Sequence, residues 1–374
     1  MKPLSIYVHV PFCSSRCGYC DFNTYTADEL GGDVSRATFH EFLMAEIRYA
    51  RSVLGPRRVD TVFVGGGTPT LIGASGLSAI VREIDASFEL AADAEVSTEA
   101  NPDSVDAPML DELRAGGFTR ISFGMQSSSP RVLSVLDRSH TPGAGPAAAR
   151  AAVQAGFDHV NIDLIYGTPG ESDADLRQSI DDALAAGIDH LSAYALIVED
   201  GTPLARRIAS GAVEQPDDDI AAQRYELVDD ALAAAGMEWY EISNWTRPGG
   251  ECRHNLAYWR NADWWGIGPG AHSHIDGVRW WNAKHPATYA EAVDAGVAPR
   301  AGEEVLTPEQ KRLEDLMLAI RTRVGLPVEG ISPTVLASLR DQGLIDEGSL
   351  EGGVVVLTRQ GRLLANTVIA ALAD

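Results

Sequence analysis

Between residues 4 and 198 a short apolar run rich in β-branched residues recurs. Each copy is followed by a loop holding Gly, Pro or Asn and then by an Ala/Leu/Glu/Arg-rich helical stretch. Strands are predicted at 4–10, 59–66, 94–100, 118–124, 159–167 and 190–198. Helices are predicted at about 36–53, 76–87, 106–115, 143–155, 172–186 and 218–235, with glycine stops after 155, 186 and 235. This rhythm limits the fold more than any other feature. Parallel strands joined by right-handed helical crossovers close into a barrel or stay an open doubly wound sheet. Six units favour an α/β fold built as a partial, open (β/α)6 barrel.

Past about residue 290 the rhythm changes to helix, helix, short strand pair, helix. That pattern predicts a small winged-helix-like α+β module. The expected domains are therefore 1–290, the barrel with its loops and an aromatic-rich segment, and 291–374, a C-terminal cap. Such modules often bind DNA, but this one lacks a basic recognition face. The net charge of −23 is spread along the chain and repels polyanions, which argues against a nucleic-acid partner. The first residues, MKPLSIYVHV, contain no apolar run near the roughly 18 residues a membrane span needs, so a cytoplasmic location is expected.

The chemistry concentrates in CSSRCGYC, residues 13–20. Three of the chain's 4 cysteines, Cys13, Cys17 and Cys20, sit there on one tight loop after the first strand. In a reducing compartment three clustered thiols suit metal better than disulfides. A C-x3-C-x2-C loop can offer three thiolates to an iron–sulfur cube and leave one iron open. The amino and carboxylate groups of S-adenosylmethionine (SAM) could fill that corner. The competing reading is a zinc site closed by Cys252 or His254, although structural zinc usually draws on C-x2-C pairs.

CSSRCGYC matches the radical SAM signature. Together with YVHVPFC, VFVGGGTPT, STEANP, SFGMQS, LDRSH, NIDLIYGTPG and HNLAYW, it makes the chain resemble the oxygen-independent coproporphyrinogen III oxidase family over almost its whole length. The resemblance implies a [4Fe-4S] cluster on Cys13, Cys17 and Cys20. It places Gly65, Gly66, Gly67 and Thr68 near the methionyl end of SAM. Glu99, Gln126, Arg138 and Asp163 then become cofactor-binding residues, the carboxylates facing ribose hydroxyls and Arg138 a carboxylate. Tyr7 and Tyr19 would flank cluster and cofactor.

One departure stands out. The oxidases carry a further cysteine two residues past the third, and here that position is Phe22. The reading C-x-x-C-D-F-N, with HNLAYW at 254–259, resembles instead the family's heme-chaperone subgroup. That subgroup implies heme as cargo and no coproporphyrinogen III dehydrogenase activity. It also implies an acceptor protein, a respiratory one among the candidates, with transient contact to a membrane protein. All 7 tryptophans fall between Trp239 and Trp281, where aromatic faces and imidazoles could serve a porphyrin. His254 is the expected axial base, with His272, His274 and Cys252 behind it. The alternative function is the oxidase itself, a radical SAM decarboxylase of heme biosynthesis. A third is a metal-stapled scaffold without turnover.

Overall fold

A computed structural model describes residues 3–30, 34–138 and 140–373. The remaining positions lie outside the described residues; they include the outer ends of both expected domains and Ser139 of LDRSH.

The predicted strands form as β1 (Leu4–Val10), β2 (Arg58–Gly66), β3 (Glu89–Ala100), β4 (Arg120–Gln126), β5 (His159–Tyr166) and β6 (His190–Ala195). They pair in sequence order, and every pair is parallel. In β1, Leu4, Ile6, Val8 and Val10 are buried against the helical layer, as a strand covered on both faces requires. The predicted helices form as Phe39–Leu54, Gly73–Ser87, Ala107–Ala115, Ala144–Gln154, Asp173–Leu184 and Asp218–Ala234. Capping explains several boundaries. Asp106 accepts a bond from Met109 N, Ser172 forms a capping box with Asp175, and Asp217 accepts from Ile220 N.

Six further strands extend the sheet on both sides, and periodicity did not announce them. A hairpin of β7 (Glu238–Glu241) and β8 (Asn244–Thr246) joins antiparallel to β6. On the other side β9 (Trp264–Ile267) runs parallel to β1. An antiparallel meander of β10 (His272–Ile275), β11 (Val278–Asn282) and β12 (Arg300–Val305) follows. The resulting order is β12-β11-β10-β9-β1-β2-β3-β4-β5-β6-β8-β7, with its two ends unpaired to each other, so the barrel stays open.

Helices Pro308–Ala319, Pro333–Asp341 and Ala365–Ala373, with a two-residue strand pair, pack a separate small core around Leu316, Ile320, Leu339, Val355 and Val368. Arg362 fastens it to the barrel. The guanidinium donates to Asp229 Oδ2 (2.7 Å) and to the Tyr225 hydroxyl (2.9 Å) and lies over the Trp239 ring. Among the described residues, none beyond Lys284 lines either of the two cavities in the barrel.

Candidate functional site

The cysteine loop leaves β1 at Pro11 and is pinched at its neck. Tyr25 N donates to Pro11 O, Cys13 N donates to Tyr25 O, and Phe12 bridges Tyr25. Within the loop Cys20 N donates to Cys17 O (3.3 Å). Gly18 is required by a close approach, since a Cβ there would lie 2.3 Å from Asp137 Oδ2. The loop is braced from outside by Gly18 N on Leu136 O, Leu204 N on Gly18 O, and Arg36 on Cys13 O. All three thiols are half-buried and none is in a disulfide. Burial pushes the Cys20 thiol up to about 11 and the Cys13 thiol also up, the latter opposed by the Thr24 and Thr68 hydroxyls. Arg138 donates to Cys17 Sγ (3.3 Å) and to Gly124 O (2.7 Å). The guanidinium expected to face a carboxylate thus stands beside a cysteine sulfur.

The rim is assembled from strand ends. Glu99 Oε2 accepts from Gly66 N (2.9 Å), and Asp163 accepts from Ser122 (2.7 Å) and Asn161 (2.8 Å). The Gln126 backbone is left-handed (φ 66°) at a register shift between β4 and β5, an uncommon state for a residue with a side chain. Its amide folds back beside Gly124. On the side where a Cβ would stand, the glycine run packs against protein, while Gly66 lines the mouth cavity. A Cβ on Gly66 would meet the His9 ring and one on Gly67 the Phe12 carbonyl, at 2.6 and 2.4 Å. Thr68 N donates to Phe12 O (2.7 Å), so this run seats the β2 exit on the neck of the cysteine loop. Tyr19 packs with Val132, Leu136 and Leu204 beneath the loop.

His9 is fully bonded and ties strand to loop. Its Nε2 faces Asn23 O (2.9 Å), a carbonyl that only accepts, so Nε2 carries the proton and the Tyr7 hydroxyl donates to Nδ1 (2.9 Å). Asn23 in turn donates to Pro269 O and Lys284 O, clamping the loop to the turn before β10 and to the stretch after β11. The sequence signal for this clamp was present in CDFN, although no role was attached to Asn23.

Two cavities meet at Tyr7, Glu99 and Tyr258. One, of about 1100 Å³, opens at the mouth between the cysteine loop, the stretch 200–206 and the turn 270–272. The other, of about 260 Å³, lies inside the barrel and is lined by Asp163, His190, Tyr194 and Cys252 among others. His254 is in the inner cavity, at the level of Ser5 and Thr61. Thr61 donates to Ser5, so it accepts from His254 Nδ1 (2.8 Å), and His254 Nε2 accepts from the Tyr258 hydroxyl (2.9 Å). Burial lowers this imidazole to about 4. It is neutral, but neither nitrogen is free, so an axial role would require breaking one of these bonds. Cys252 bonds Glu95 at the same end. The tryptophans form no common platform: Trp245, Trp265 and Trp280 are core, and of the seven only Trp264 lines the mouth.

Burial pushes the Glu99 carboxyl up to about 7 from the ordinary 4.5, Gly66 N–H opposes the shift and the Asp163 charge adds to it. The folded chain therefore holds this proton more tightly than the unfolded one. The stabilisation is complete below about 4.5 and is lost as pH rises through about 7. Urea midpoints of the ligand-free protein are expected to fall between pH 5 and pH 8, and to fall less in Glu99→Gln.

Among the described residues no three His, Cys, Asp or Glu side chains converge as ligands of one metal ion. Cys252 and His254 are held at the opposite end of the strands, which removes the zinc reading. A cubane asks for less convergence, because each thiolate takes a different iron, and the three thiols on a braced loop beside Arg138 fit it. The radical SAM superfamily model matches residues 7–183. The heme chaperone HemW of Mycobacterium tuberculosis is 53% identical over 373 residues, covering 99% of this chain and 95% of that protein. The chain belongs to the HemW family of radical SAM proteins. HemW of Bacillus subtilis is 33% identical over 98% of both chains. Coproporphyrinogen III oxidase (HemN) of Escherichia coli superposes with a TM-score of 0.84 over 100% of this chain and 90% of its own, at 24% identity, and thus shares the radical SAM fold.

Proposed function

We propose that this chain is a cytoplasmic heme chaperone. It binds heme as cargo and passes it to an acceptor protein, while Cys13, Cys17 and Cys20 hold a [4Fe-4S] cluster and the barrel rim holds SAM. The carrying observation is full-length similarity to HemW at 53% identity, supported by Phe22 at the place of the oxidases' further cysteine. Such a cluster with SAM supplies one-electron cleavage of a C–S bond. The protein's own part is placement. Arg138 donates to Cys17 Sγ and orients that thiol on the loop, Glu99 and Asp163 offer acceptors to ribose hydroxyls, and Gln126 offers both donor and acceptor. Tyr7 and His9 fix the loop against β1 and keep the rim in register with it.

The test is to incubate anaerobically reconstituted protein separately with heme and with coproporphyrinogen III. Stoichiometric heme uptake with no decarboxylated product is expected. Decarboxylated product would overturn the chaperone reading in favour of the oxidase.

A further inference from the structure

The mouth cavity has features that the cluster and SAM do not account for. Phe22 is 62% exposed on its lip, an aromatic face presented to solvent two residues after Cys20. Tyr258 and Trp264 stand edge to face across the cavity wall, ring centroids 5.0 Å apart. Beside them His272 opens into the same cavity and Lys284 sits at its border.

The histidines sort clearly by their bonds. His9, His190 and His254 line a cavity but have both ring nitrogens engaged. His274 is buried and its Nδ1 donates to Ala262 O (3.2 Å). Among the described residues, His272 alone of the cavity-lining histidines makes no side-chain hydrogen bond; its ring stacks on Trp281 at 5.7 Å. Partial burial, Lys284 and Arg279 all lower its pKa, which keeps a lone pair available at neutral pH. Lys284 makes no ion pair among the described residues, whereas Arg16, also on the lining, is held by Glu29. Asp21 and Asp200 line the cavity too, so a ligand's carboxylates are accommodated on the Lys284 side.

We infer that the heme cargo docks in this mouth cavity, with His272 as an axial ligand of its iron, Phe22 against the macrocycle and Lys284 pairing with a propionate. A flat apolar ring with one metal and two carboxylates needs an aromatic face, an unbonded imidazole and a nearby cation, and these three meet here. The inference rests on the chaperone reading and gives it a place. It also puts cargo against the loop that carries the cluster thiols, since Asn23 ties that loop to the Lys284 carbonyl.

The test is a hemin titration of the anaerobically reconstituted protein, followed by its Soret band and by EPR. His272→Ala is expected to shift the Soret maximum, change the iron spin state and weaken binding about tenfold or more, a loss equivalent to ~1.4 kcal/mol. Added imidazole is expected to restore the wild-type spectrum. Lys284→Glu should weaken binding while leaving the Soret position unchanged. His272 is exposed and unbonded, so iron and sulfide content should match wild type and report an intact fold. An unchanged spectrum and affinity in His272→Ala would overturn this docking site and leave the chaperone reading standing. Failure of the wild type to take up hemin would overturn the chaperone reading itself.

Discussion

Cys17→Ser is expected to remain colourless after anaerobic reconstitution with iron and sulfide. Two effects act together. A serine oxygen does not replace a thiolate at an iron–sulfur site, and the two thiolates that remain do not hold a cubane. The Arg138 guanidinium also loses a partner: Nη1 now donates to Cys17 Sγ, and Nε is already buried without one. Cys252→Ser is the internal control. Its sulfur bonds Glu95 at the far end of the strands, and burial pushes the thiol up to about 12, so its loss is expected to leave iron and sulfide content unchanged. Iron and sulfide per chain, together with the visible absorption, measure both variants. Full occupancy in Cys17→Ser, or a matching loss in Cys252→Ser, would defeat the assignment.

Much of this arrangement was legible in the chain because the barrel strands are long, apolar and separated by capped helices. The predicted 4–10 is β1, and five more strands follow within a few residues of their expected limits. The rim residues Glu99, Gln126 and Asp163 were singled out through the family resemblance; strand-end position alone would also have suited capping or surface pairs. β7 to β12 were not legible. They are three to six residues long, and segments such as VRWWN and NWT show aromatic bulk rather than alternation. That bulk suggested a porphyrin platform, but Trp245, Trp265 and Trp280 fill the sheet's own core, where large rings bury the most apolar surface. The place of His254 was not legible, for a geometric reason. HNLAYW reads as a ligand motif in one dimension, but its helix enters the barrel from below and spends the imidazole on Thr61 and Tyr258. Only pairing register separates that end from the mouth.

The same lower end carries the largest expected loss of stability. Glu95 and Arg120 form an ion pair in which both side chains are under 5% exposed. Glu95 also accepts from His254 N (2.9 Å) and Arg253 N (3.1 Å), while Arg120 donates to the carbonyls of Gly250 and Glu251. Burial alone would push the Glu95 carboxyl up, but Arg120 and these backbone N–H groups outweigh it and hold it low. The pair therefore anchors the whole segment 250–258 that plugs the barrel. Glu95→Ala leaves a buried guanidinium and two backbone donors uncompensated, and a cost of about 3–5 kcal/mol in urea unfolding is expected. Glu95→Leu combined with Arg120→Met should recover part of it, because removing both charges also removes the desolvation penalty. Thiol chemistry supplies a local readout. Cys252 is buried and is expected to resist alkylation in the wild type but to react in Glu95→Ala as the plug loosens. Tyr258 belongs to that plug and forms a wall of both cavities, so hemin affinity should fall with it even though no residue of the mouth has changed. A Glu95→Ala protein with wild-type urea midpoint and an unreactive Cys252 would show that the segment is held by packing alone, and that the buried pair is not its anchor.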